Sequence, residues 1–112
     1  MKLKNTAKKI VQLLKYAQER AISEGVTLEF FINNEERIYG ITHKDQNKPI
    51  KRYKIPDQIF VEQKESLRKA QSKDKIKFYP DGRIDKALIR IYNKKGQELR
   101  ISIAITGKIT LL

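Results

Sequence analysis

Apolar residues recur at intervals of three and four up to Gly25, and beyond it the interval becomes two. In the segment 5–25, NTAKKIVQLLKYAQERAISEG, Ile10, Val11, Leu14, Ala17, Ala21 and Ile22 share one face of an α-helix. Lys8, Lys9, Lys15, Glu19 and Arg20 fall mainly on the other side. The pattern predicts one helix from about Thr6 to Glu24, with Asn5 or Thr6 as N-cap and Gly25 taking the left-handed conformation that ends it. Leu3 and Ala7 carry the stripe a turn earlier, so it runs into the N-terminus without a stop signal. An apolar stripe of this kind needs a surface to cover it, and the rest of the chain offers strands.

Val26, Leu28, Phe30 and Ile32 alternate with Thr27, Glu29 and Phe31, which predicts a strand with one face on the core. Asn33-Asn34-Glu35-Glu36 is a tight reversal, and Arg37 to Ile41 runs back as a second strand. Thr42 to Lys48 is polar and reads as a loop. Pro49 to Ile55 reads as an edge or irregular strand because of its flanking prolines, and Gln58 to Val61 as a further strand. Glu62 to Lys75 has few apolar anchors; it forms either a short helix through Leu67 and Ala70 or a mobile loop. Ile76 and Phe78 point one way before a Pro80-Asp81-Gly82 turn. Ala87, Ile89 and Ile91, then Leu99, Ile101, Ile103 and Ile105, alternate on either side of an Asn93-Lys94-Lys95-Gly96 hairpin turn, and Thr106-Gly107 breaks the pattern before the last residues. The fold class is therefore α+β: a long N-terminal amphipathic helix packed on antiparallel sheet. One domain spans 1–112, with a helical part at 1–25 and a β-rich part at 26–112.

Composition narrows the chemistry. The 112 residues carry a formal net charge of +12. Such a charge draws a chain to polyanions but does not specify a fold. Without cysteine there is no disulfide framework, thiolate nucleophile or thiolate metal site. No apolar run approaches the ~18 residues of a membrane helix. His43 is the only histidine and has no second ligand at metal spacing. Glu35 and Glu36 are adjacent, so their side chains diverge and do not make an acid/base pair. No phosphate-cradling glycine loop, Gly-x-Ser-x-Gly or His-Glu-x-x-His stretch occurs, and Phe78 to Arg83 reads as a strand ending in a turn. No catalytic residue, cofactor or metal is expected.

The basic clusters have two readings. Lys48, Lys51, Arg52 and Lys54 surround Tyr53, a mixture used by surfaces that track a nucleic-acid backbone. Arg90, Lys94, Lys95, Arg100 and Lys108 are placed to gather on the solvent face of the last strands. The preferred reading is a lysine coat that keeps exposed strands from pairing with other chains.

The chain also resembles a known family, the minor pseudopilins of the GspH/FimT type, which are type IV pilin-like proteins of type II secretion systems and type IV pili. The resemblance rests on Ala17, Arg20, Ala21 and Gly25 around the helix end, on Phe78-Tyr79-Pro80-Asp81-Gly82, and on Thr106-Gly107-Lys108-Ile109, in that order and spacing. It implies a pilin-like fold and a structural role in assembling a pseudopilus or pilus, or at its tip. It further implies a short leader removed by a prepilin peptidase and an apolar N-terminal helix in the bacterial inner membrane. The present domain would then lie in the periplasm or the assembled fibre, and Leu3 would be an exposed continuation of the fibre axis. Leu3, Ile10, Leu14 and Ala17 would form a helix face for assembly with other pilins, and secreted cargo is a further partner the family suggests. Some relatives bind DNA during natural transformation through a basic Gly-Arg-x-Arg stretch near the C-terminus. The matching positions are Gly107, Lys108, Ile109 and Thr110, with one basic position kept. The DNA-binding alternative thus falls on Lys51, Arg52, Lys94, Lys95 and Lys108.

Overall fold

The computed structural model describes residues 2–44, 46, 49–64 and 75–112. Helix α1 spans Lys2–Glu24. It begins earlier than the capping residues predict: Asn5 and Thr6 lie inside the helix, and Thr6 is buried. The stripe that faces the sheets is Leu3, Ala7, Ile10, Leu14, Ala17 and Ala21, flanked by Leu13. This three-four repeat needs no N-cap to be extended, because each added turn buries another apolar residue. The C-terminal end follows its sequence signal. Gly25 adopts φ 64°, its N–H donates to the Ile22 carbonyl at 3.3 Å, and the Val26 N–H donates to the Ala21 carbonyl at 3.1 Å. These are the two bonds of a Schellman cap.

Among the described residues, eight strands form two four-stranded antiparallel sheets. They are β1 (Leu28–Asn33), β2 (Ile38–His43), β3 (Pro49–Lys54), β4 (Ile59–Lys64), β5 (Lys75–Phe78), β6 (Ala87–Asn93), β7 (Glu98–Ile103) and β8 (Ile109–Leu111). The first sheet has the order β3-β2-β1-β5 and the second β4-β6-β7-β8. Helix α1 lies against strands of both. Leu28 and Phe30 face Phe78 and Ile76 across the β1–β5 pair, and all four are fully buried. In the second sheet Val61, Ile91 and Leu99 sit abreast, as do Ile89, Ile101 and Leu111. The helix stripe closes over both rows, so a single core joins the two sheets to α1.

Several expectations change. Leu3 is 4% exposed and belongs to the core, so it is not a free continuation of the helix. Ile22 is 50% exposed, because its position drifts off the stripe at the last turn, while Leu13 takes a core place that the pattern omitted. Ile105 breaks the alternation of β7: it sits in the following turn and is 59% exposed. Strand β2 extends through Thr42 to His43, residues read as loop, because Thr42 pairs with Glu29. Strand β5 joins the first sheet beside β1, apart from β6, β7 and β8, which run as consecutive neighbours in the second. The alternative of helix or mobile loop at Glu62 to Lys75 divides: its first three residues end β4, Lys75 begins β5, and 65–74 lie outside the described residues.

Candidate interaction surfaces

The four residues predicted for assembly, Leu3, Ile10, Leu14 and Ala17, lie beneath the chain's own sheets, at 4% exposure for Leu3 and none for the others. In this conformation they hold α1 to the sheets and present nothing to another subunit. The outward side of the helix is polar, with Lys4, Lys8, Lys15 and Glu19 exposed.

The basic residues predicted for DNA do not converge. Lys51 and Arg52 are successive in β3, so they point to opposite faces of the sheet. Lys51 Nζ lies 4.7 Å from the centre of the Tyr16 ring on α1, while Arg52 is exposed. Lys94 and Lys95 occupy the β6–β7 turn and Lys108 follows the β7–β8 turn. Those turns cap opposite ends of β7, so the three lysines cannot form one cluster.

Arg90 and Arg100 are neutralised where they stand. They face each other across the β6–β7 pair, an arrangement of like charges that would be unfavourable alone. Glu98 relieves it, its carboxylate accepting from Arg90 Nε and from Arg100 Nε at 2.6 Å each, and Glu62 accepts from Arg90 Nη1 at 2.6 Å. The bonds from Arg90 and then Arg100 hold the Glu98 carboxyl below the usual carboxylate range. The same face stacks Phe60 on Tyr92 with ring centres 5.4 Å apart, covered by Arg37 over Phe60 and Arg90 over Tyr92. This is a self-satisfied polar ladder, with its cations already engaged.

The Phe78 to Arg83 stretch is a turn, as its residues predict. Gly82 adopts φ 95°, and Asp81 accepts from the Arg83 N–H at 3.0 Å and from Arg83 Nε at 2.8 Å. The Tyr79 hydroxyl donates to Asp85 at 2.8 Å, and Asp85 in turn accepts the Lys77 N–H at 3.2 Å. The turn also docks on the helix. Gln18 Nε2 donates to the Gly82 carbonyl and to the Gly107 carbonyl, at 3.1 Å each. Gln18 carries no special signal in the sequence, where it is a lone glutamine beside an apolar stripe.

A cleft of about 440 Å³ opens where the first turns of α1 meet β2 and the end of β3. Its lining includes Lys2, Lys8, Lys9 and Lys54 together with Thr6 and Tyr39, and no carboxylate among the described residues. Burial first, and Tyr53 second, push the Tyr39 phenol up to about 12, so it stays protonated and able to donate. The sequence holds a trace of this site: Lys2, Asn5, Lys9 and Gln12 recur at three and four, a polar stripe alongside the apolar one. Among the described residues no group of three or more His, Cys, Asp or Glu side chains is placed to hold a metal ion. No helix among them is long and apolar enough to cross a membrane.

An N-terminal helix spanning two small antiparallel sheets, closed by glycine turns against its distal half, defines a pilin-like α+β fold. The minor pseudopilin EpsH from the type 2 secretion system of Vibrio cholerae has this fold. It matches with a TM-score of 0.77 and 15% identity, over 100% of this chain and 97% of its own. The type IV minor pilin FimU of Pseudomonas aeruginosa likewise matches at 0.77 and 15% identity, over 98% of this chain and 87% of its own. A second EpsH structure gives 0.74 at 16% identity, over 99% and 93%. No sequence-family model and no curated protein sequence matches the chain.

Proposed function

We propose that this chain is a structural subunit of a pilin-like fibre, a pseudopilus of type II secretion or a type IV pilus. The observation that carries the reading is the extent of the fold likeness, which covers 100% of this chain and 97% of a minor pseudopilin of a secretion system. The resemblance read from the helix end and the two glycine turns points the same way, independently of the superposition. In this reading the domain stands in the periplasm or in the fibre, carried by a membrane-inserted helical segment continuous with α1. Its partners are other pilin-like subunits, met through the exposed side of α1, while Leu3, Ile10, Leu14 and Ala17 contribute by fixing the helix to the sheets.

DNA uptake is the weaker reading. Arg90 and Arg100 are paired with glutamates, Lys51 lies over Tyr16, and Lys94 and Lys95 stand a strand's length from Lys108.

The test is genetic and biochemical. Deletion of the gene in its host should reduce fibre-dependent secretion or surface fibres, and site-directed crosslinks from exposed α1 positions such as Lys15 should trap other pilin-like subunits. A deletion strain with intact secretion and fibres, together with no crosslink from any exposed helix position, would overturn the assignment.

A further inference from the structure

We propose that the cleft between the start of α1 and strands β2 and β3 is a binding site for a compact phosphate group. Four lysines line it, Lys2, Lys8 and Lys9 from the helix and Lys54 from β3. None of them has an ion-pair partner among the described residues, in contrast to Arg20, Arg83, Arg90 and Arg100. Uncompensated positive charge in a concave, partly apolar setting raises the local concentration of anions.

Two further side chains make this more than a lysine-rich surface. Tyr39 and Thr6 line the same cleft and are 2% and 4% exposed. No side-chain hydrogen bond within the described residues engages either hydroxyl, and neither is a sealed, unsatisfied polar atom, so both remain open to an occupant of the cleft that they line. An acceptor seated in the cleft would take the place of solvent at both. The Tyr39 ring is held between Phe30 and Tyr53, at centroid distances of 6.3 Å and 5.7 Å, and Lys9 lies 5.4 Å from the centre of Tyr53. The donors are therefore mounted on packed elements.

The donor set selects the ligand. Planar carboxylates are best met by the two-pronged arginine guanidinium, and no arginine among the described residues lines the cleft. Several ammonium groups with two hydroxyls suit a tetrahedral oxyanion carrying more than one charge. The helix adds to this, since the cleft runs beside its first turns and the first turn contains no acidic residue. At about 440 Å³ the cleft falls in the usual range for small ligands, and it suits a headgroup or a free phosphate compound better than a duplex. Two sources share this chemistry: a soluble phosphate, and the headgroup of an anionic phospholipid.

The test follows amide NMR shifts of the 112-residue chain during titration with sodium pyrophosphate at a constant ionic strength of ~0.15 M, where diffuse attraction is screened. Saturable shifts should appear in the first three turns of α1 and around Tyr39 and Lys54, with the Lys94-Lys95 turn unmoved. The combined Lys2→Ala, Lys9→Ala, Lys54→Ala variant should bind at least about tenfold more weakly, and Tyr39→Phe about threefold to tenfold, as expected for lost bonds to a charged acceptor. Lys94→Ala with Lys95→Ala should bind as the parent does. A parallel arm compares sedimentation with vesicles of phosphatidylcholine alone and with added phosphatidylglycerol. Vesicle binding that the triple variant loses identifies the lipid source, and pyrophosphate binding without vesicle binding identifies the soluble one. Shifts spread evenly over all exposed lysines, pyrophosphate affinity unchanged in both the triple variant and Tyr39→Phe, or no saturable response in either arm would overturn the proposal.

Discussion

Gln18 Nε2 donates to the Gly107 carbonyl at 3.1 Å, across 89 residues of chain, and the same nitrogen reaches the Gly82 carbonyl at 3.1 Å. One amide thus joins the helix to the turn after β5 and the turn after β7. These are the two glycine turns whose residues carried the family resemblance, and they meet on a single helical side chain.

That junction predicts a graded response. Gln18→Ala should lower stability by about 1–3 kcal/mol, since two carbonyls lose their donor. Gln18→Glu should be worse at neutral pH, because a carboxylate can only accept and would face two carbonyl oxygens. Its introduced carboxyl would have a raised pKa in the folded state, so the added loss should shrink as pH falls below that value. Urea unfolding of both variants at pH 7 and in mild acid measures this; equal stability of the two at pH 7 would contradict the junction.

Glycines should divide by their surroundings. Gly96 has φ 85° with open space around it, so Gly96→Ala should cost only the backbone strain, about 1 kcal/mol. Gly107 combines φ 96° with a site where a β-carbon would meet Gln18 Nε2 and lie 2.6 Å from the Gly82 carbonyl oxygen. Gly40 has no positive φ, but its β-carbon would strike the Lys51 backbone oxygen and come within 3.0 Å of the Phe31 ring. Gly107→Ala and Gly40→Ala should each lower the melting temperature well beyond Gly96→Ala. Calorimetry of the three variants gives the order.

Leu3 offers a direct test of the helix start. At 4% exposure, Leu3→Asp should destabilise the domain by several kcal/mol, as should Leu14→Asp at 0%. The exposed Ile22→Asp should be tolerated. A Leu3→Asp protein melting at the parental temperature would place the first turn of α1 outside the core.

The outer ladder predicts an acid dependence. Arg90 and Arg100 depress the Glu98 carboxyl in the folded chain, so its stabilising effect is present above the unfolded value of about 4.3 and is lost as pH falls through the lower folded value. The stability gap between parent and Glu98→Gln should therefore be full near neutrality and close in that acid window. A gap independent of pH down to strong acid would mean that the ion pairs contribute nothing.

Charge alone predicts weak binding to DNA. With a net charge of +12 the chain should bind at low salt by releasing counterions, and lose it by ~0.15 M. Lys94→Ala and Lys108→Ala, at opposite ends of β7, should each give a small and additive loss in a salt series. A single cluster carrying most of the affinity at physiological salt would instead favour DNA uptake.

The sequence by itself determined the helix, its C-terminal cap, most strands and the turn chemistry, because each rests on local periodicity or on residues that favour one backbone conformation. Leu28 and Phe30, Ile89 and Ile91, and Ile101 and Ile103 face the core as their alternation predicts. Local pattern is silent on which strands become neighbours. Placing β5 beside β1, and β4 beside β6, required contacts between distant segments, and so did extending β2 through Thr42. Tertiary structure alone decided that Arg90 and Arg100 are bridged by Glu98, that Lys94 and Lys108 lie apart, and that Gln18 ties two turns. It likewise decided that Lys2, Lys9, Lys54 and Tyr39 share a cleft. A side chain's partners depend on what the fold brings opposite it, and in an antiparallel sheet those neighbours come from remote parts of the chain.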